Sequence, residues 1–105
     1  MAFDKEIKMA VEEGLKKDPE YLGGKKLVFF ENEEIDWSKK RTDVEVYLED
    51  GACVGSYHVQ IFGLHLQYAC EDIIALVKEK NPNALVTWDP AIEEDECILM
   101  TITTD

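Results

Sequence analysis

An α+β domain is the fold this sequence predicts: a two-layer sandwich of two helices on a mainly antiparallel β-sheet, in the order α-β-β-β-α-β-β. Three observations predict it. Two stretches repeat their apolar residues at helical spacing, five short stretches read as strands, and Gly or Pro separates them. With 105 residues, the chain has the length of one domain, residues 1–105, and can bury a core without staples.

Residues 3–17 come first. Phe3, Ile7, Ala10, Val11 and Gly14 line one face of a helix, with Asp4 and Glu6 at its start and Lys16 and Lys17 at its end to suit the dipole. Asp18-Pro19 ends it, because a residue before proline is pushed out of the helical region. Leu27–Phe30 reads as a short strand buried on both faces, with Lys25, Lys26 and Glu31 as charged flanks. A polar loop over 31–41 follows, acidic first (Glu31, Glu33, Glu34, Asp36) and basic last (Lys39, Lys40, Arg41). Ile35 and Trp37 are its apolar members, with Trp37 a candidate contact residue.

Asp50-Gly51 predicts a two-residue type I′ hairpin turn. Pairing outward from it sets Leu48 opposite Cys53, Val46 opposite Gly55 and Val44 opposite Tyr57. Those six then share the core face. Asp43, Glu45, Tyr47, Val54, Ser56 and His58 take the wetter one, with His58 opposite Asp43. Gly63 stops the second strand. A helix over Leu66–Lys80 buries Leu66, Ala69, Cys70, Ile73, Leu76 and Val77, and Asn81-Pro82-Asn83 ends it. A strand over Ala84–Trp88 closes at Asp89-Pro90. The last strand, Cys97–Thr103, turns Ile98, Met100 and Ile102 to one side. Its position near the terminus predicts an open sheet edge, through which two copies could pair as a homodimer.

Charge narrows the function. The net value is -12, and residues 42–105 hold only Lys78 and Lys80 against 13 acids. Such a field repels nucleic-acid phosphates and anionic membranes and attracts cations. The order α-β-β-β-α is also that of double-stranded-RNA-binding domains, but their basic contact position at the second helix is here Gln67, Glu71 and Asp72. In element order and acidity alone the chain resembles the small acidic chaperones of bacterial secretion systems; no motif carries that likeness. No apolar run reaches the roughly 18 residues of a membrane span, and the start, Met1-Ala2-Phe3-Asp4, has no signal-peptide pattern. Three scattered cysteines, Cys53, Cys70 and Cys97, point to reduced thiols and the cytoplasm.

Catalytic patterns are absent. Gly51–Ser56 lacks the lysine of a phosphate loop, and no Cys-x-x-Cys or paired-His motif predicts a metal. Cys53 and Cys70 fall on core faces, and Cys97 adjoins four carboxylates that would raise its pKa. No cofactor is expected. The sequence therefore points to a non-enzymatic module that binds a basic protein, as an immunity protein, inhibitor, antitoxin or chaperone does. Its expected contact set is Glu45, Tyr47, Glu49, Asp50, His58 and the 93–96 loop (Glu93, Glu94, Asp95, Glu96), with Trp37. A small-molecule pocket or small enzyme site between sheet and helices, using His58, Tyr57 and the cysteines, is one alternative, and a homo-oligomeric structural protein is the other.

Overall fold

Asp4 starts the first helix. Its Oδ1 accepts hydrogen bonds from the backbone N–H groups of Glu6 (2.9 Å) and Ile7 (3.2 Å), satisfying donors that have no partner within the helix. Helix α1 then runs Lys5–Lys16, and Asp18 caps a single 3-10 turn over Pro19–Tyr21. Strands β1 (Leu27–Glu31), β2 (Val44–Asp50) and β3 (Ser56–Phe62), helix α2 (Ala69–Lys80), and strands β4 (Leu85–Pro90) and β5 (Cys97–Thr103) complete the predicted order. These come from a computed structural model, which describes residues 3–90 and 97–104.

The strands form one sheet in the order β1-β2-β3-β5-β4. Three of its neighbour pairs are antiparallel, and β1 lies parallel to β2, with Leu27 beside Val44 and Glu31 beside Leu48. Two expectations fail here. The Leu27–Phe30 strand is an edge strand, half-buried along its length, because only β2 flanks it. Cys97–Thr103 is not an edge: β5 pairs with β3 on one side and β4 on the other, so the proposed dimer contact along it is not open.

The hairpin is also longer than predicted. Leu48 pairs with Val59, Glu49 with His58 and Asp50 with Tyr57, leaving residues 51–55 as the loop. The reversal falls at Gly55 (φ 83°), while Gly51 keeps an ordinary backbone and donates to the Ser56 carbonyl at 2.7 Å. Leu48 thus meets a residue six positions beyond Cys53. An even slip leaves each side chain on its predicted face, since strands alternate with a period of two. Cys53, expected in the core, sits exposed in the loop, and His58 lies between Glu49 and Thr101 rather than opposite Asp43.

Both helices cover one sheet face. Ile7, Val11 and Leu15 from α1 and Cys70, Ile73 and Val77 from α2 join Val44, Val46, Leu48, Val59, Ile61, Ile98, Met100 and Ile102 in one cluster. The space between helices and sheet, where a small-molecule pocket was the alternative, is taken by these side chains. At the far end of the helix pair, Tyr21 donates its hydroxyl to Asp72, which also holds Lys17 at 3.2 Å. That hydrogen bond, with lesser burial and charge effects, pushes the Tyr21 pKa up to about 12.

The helices cross at Gly14. A Cβ there would stand 2.6 Å from Ile73 Cγ1 and 2.9 Å from the Ile73 Cα and N, so backbone would have to move. Alanine is the better helix former by about 1 kcal/mol, yet overpacking costs about 1–3 kcal/mol. Gly14→Ala is therefore expected to lower stability in chemical denaturation, despite its propensity; a gain would show that the crossing is looser.

Candidate functional site

Parallel strands cannot be joined by a tight turn, so the chain must return from the end of β1 to the start of β2 by a crossover. Residues 32–43 make that return, and they cross the sheet face opposite the helices. Two short anchors hold its ends. Asn32 adopts φ 52° and brackets Asp50, accepting from its N–H at 3.0 Å and donating to its carboxylate at 3.2 Å. At the other end Val44 N–H reaches the Lys26 carbonyl at 2.8 Å.

Beneath the crossover lies a second, smaller cluster: Tyr47, Phe62 and Cys97, with Phe30 and Ile35 against it. Phe30 stacks on Tyr47 at 4.6 Å, and Tyr47 and Trp37 each meet the Phe62 ring edge-to-face, at 5.6 and 5.5 Å. The Arg41 guanidinium sits 4.1 Å from the Phe62 ring centre.

Glu45 is buried in this cluster, with 4% exposure. Lys39 Nζ lies 2.9 Å from its Oε2, while Arg41 Nε (3.3 Å) and the Tyr47 hydroxyl (2.8 Å) donate to its Oε1. Burial pushes the carboxyl pKa up. The hydrogen bonds from Lys39 and Tyr47, with the charges of Lys39 and Arg41, more than offset it and hold Glu45 below the usual carboxylate range. Tyr47 moves the other way, raised by burial and then by its bond to Glu45.

Two residues of the expected contact set therefore play another part. The sequence puts Glu45 and Tyr47 on the sheet's wetter face, but the crossover covers them and both are buried. Glu49 and Asp50 do lie exposed at the end of β2, and Trp37 is 52% exposed. His58 is half-buried next to Glu49. Glu93, Glu94, Asp95 and Glu96 lie outside the described residues.

The structure brings Glu49, Asp50 and Trp37 together with residues that the sequence reading had not assigned to a site. Asn32, Glu33, Glu34 and Ile35 from the crossover face Glu49, Asp50 and Gln60 from the sheet across a groove of about 560 Å³, with Trp37 on its wall. Among the described residues, four carboxylates line it, and no lysine or arginine does. Glu33 and Glu34 belong to the half of the chain that is nearly neutral in sum. They reach Glu49 and Asp50 only because β1 and β2 run side by side in the same direction, so both strands end at one place. Among the described residues, no three of His, Cys, Asp and Glu converge to hold a metal ion, and no helix is long and apolar enough to cross a membrane.

The thiols occupy different environments. Cys70 is buried in the main core, and burial pushes its pKa up to about 12, which removes the thiolate. Cys97 is buried beside Tyr47 and Phe62, and Cys53 is exposed. Compared with known proteins, the chain matches no family model, no curated protein and no solved structure.

A carboxylate whose folded pKa lies below its unfolded value stabilises the fold above the unfolded value, and loses that contribution as pH falls through the folded one. Glu45 behaves in this way. Glu45→Gln, which keeps the shape but not the charge, is expected to cost about 2 kcal/mol at pH 7. The stability gap between the two proteins should be widest above about pH 5 and should close on further acidification. Thermal unfolding of both across pH 7 to pH 2 measures it; a gap that does not change with pH contradicts the assignment.

Proposed function

We propose that this chain is a non-enzymatic protein-binding module that takes a basic segment of a partner protein into the groove between the crossover and the sheet. The observation that carries the reading is the lining of that groove: Glu33, Glu34, Glu49 and Asp50 beside the half-exposed indole of Trp37, with no cation among them. Carboxylates attract and orient arginine and lysine side chains, and an indole face accepts their cationic heads. The overall charge of -12 adds a long-range pull that speeds encounter with a positive partner and fades with salt. A cytoplasmic setting, with reduced thiols, belongs to the same reading.

An extended basic segment suits a groove lined by carboxylates along the sheet. The groove is open along the sheet surface, where Gln60 pairs with Leu99 and His58 with Thr101, and those side chains would meet the part of the partner that leaves the acidic end. Sequence reading placed the acidic contact on the second half of the chain. Glu33 and Glu34 add acids from the first part of the chain to this reading, and Lys39 and Arg41 pair with Glu45 rather than lining the groove.

An arginine-rich decapeptide is a suitable probe, read by Trp37 emission in a Trp88→Phe background. It should bind at low salt and weaken as salt rises. Neutralising the groove (Glu33→Gln, Glu34→Gln, Glu49→Gln and Asp50→Asn together) should reduce affinity about tenfold or more. A control that removes the same charge elsewhere (Glu6→Gln, Glu13→Gln, Glu20→Gln and Glu79→Gln) should change it much less. Equal losses in both variants would mean that net charge alone attracts the peptide, and the groove reading would be wrong.

A further inference from the structure

We infer that residues 33–43 open from the sheet as one body, a strap hinged at Asn32 and Val44 and latched by Glu45, while the helices and the sheet stay folded. Three features of the crossover lead there. First, its middle is organised by bonds within itself: Arg41 donates to the carbonyls of Asp36 (2.7 Å) and Lys39 (3.3 Å), and Ser38 donates to the Asp36 carboxylate through both N–H (3.0 Å) and hydroxyl (2.6 Å). The last two bonds hold the Asp36 pKa below its ordinary range. Such a knot keeps its shape whether or not it touches the sheet.

Second, among the described residues the two cations that this knot sends to the sheet converge on one carboxylate, as Lys39 and Arg41 both end on Glu45. The segment has neither helix nor strand, so no backbone ladder binds it along its length. Third, its apolar contact is confined to a small cluster separate from the main core. Segments with few buried contacts and no ladder open at a free energy below that of global unfolding. When the strap leaves, Tyr47 still donates to Glu45, and water reaches the carboxylate, so the open state strands no buried charge.

Opening has a consequence for the groove, because Glu33, Glu34, Ile35 and Trp37 are its strap-borne wall. Only the closed protein then presents four carboxylates together, and the latch sets the fraction of molecules that do. The opening itself stands apart from the partner reading and is tested without any partner.

Thiol labelling reads it directly. Cys97 lies in the small cluster, opposite Phe62, on whose ring Trp37 and Arg41 rest, whereas Cys70 is buried in the main core. With Cys53→Ser removing the exposed thiol, Cys97 should react with a maleimide at least about tenfold faster than Cys70. Its rate should change little at low urea, while the Cys70 rate climbs steeply, since slope follows the surface exposed. Glu45→Gln should speed Cys97 labelling by about tenfold, and Lys39→Gln, a milder change at a half-exposed side chain, by about threefold. Cys97 and Cys70 reacting together with the same urea slope would overturn the inference, as global unfolding would explain both. So would fast Cys97 labelling indifferent to Glu45→Gln and Lys39→Gln, which would mark fraying of β5 alone.

Discussion

The interaction on which the outer half of this protein depends is a buried carboxylate met by two cations and a phenol. Glu45 points away from the helices, to a face that would be wet in an ordinary two-layer sandwich. Removing such a group from water costs several kcal/mol unless donors surround it. Lys39, Arg41 and Tyr47 supply them, and two of the three come from the crossover. The charge and its cover therefore require each other. Without the crossover Glu45 would be a surface acid, and without Glu45 the basic end of the crossover would keep only its contacts with the sheet's aromatic rings.

That coupling begins with topology. Because β1 runs parallel to β2, the linking segment must traverse the sheet, and the helices already occupy the other face. The aromatic rings Phe30, Tyr47 and Phe62 provide the apolar bed, and the flat Arg41 guanidinium spans two demands at once, stacking on Phe62 while bonding Glu45. The acidic part of the same segment, Glu33 and Glu34, is left on the outside next to Glu49 and Asp50. One crossover thus turns Lys39 and Arg41 onto Glu45 and presents its acidic end to the groove.

How much of this was legible in the sequence follows from the range of each signal. The helices and strands are local, so the spacing of Ile7, Ala10, Val11 and Gly14 and the alternation of Ile98, Met100 and Ile102 revealed them. Face assignment survived a wrong hairpin register because Leu48 slipped by an even number of residues. Strand order was not legible: the insertion of β5 between β3 and β4, and the parallel pairing of β1, are decided by contacts between distant segments. The site inherits that blindness. Glu45 and Tyr47 alternate as outward residues should, and nothing nearby in the chain announces that Lys39 and Arg41 fold back over them. Glu33 and Glu34 were visible as acids, yet their neighbours Glu49 and Asp50 are set by the sheet.

A double-mutant cycle between Arg41 and Glu45 tests most directly whether this pair holds the crossover. The four proteins are the wild type, Arg41→Met, Glu45→Gln and the double variant, with stabilities from urea unfolding at pH 7. The account predicts a coupling energy of about 1 kcal/mol or more. A coupling near zero, with the two losses simply adding, would contradict it, because Glu45 would then owe its place to the surrounding rings and not to the crossover's charge.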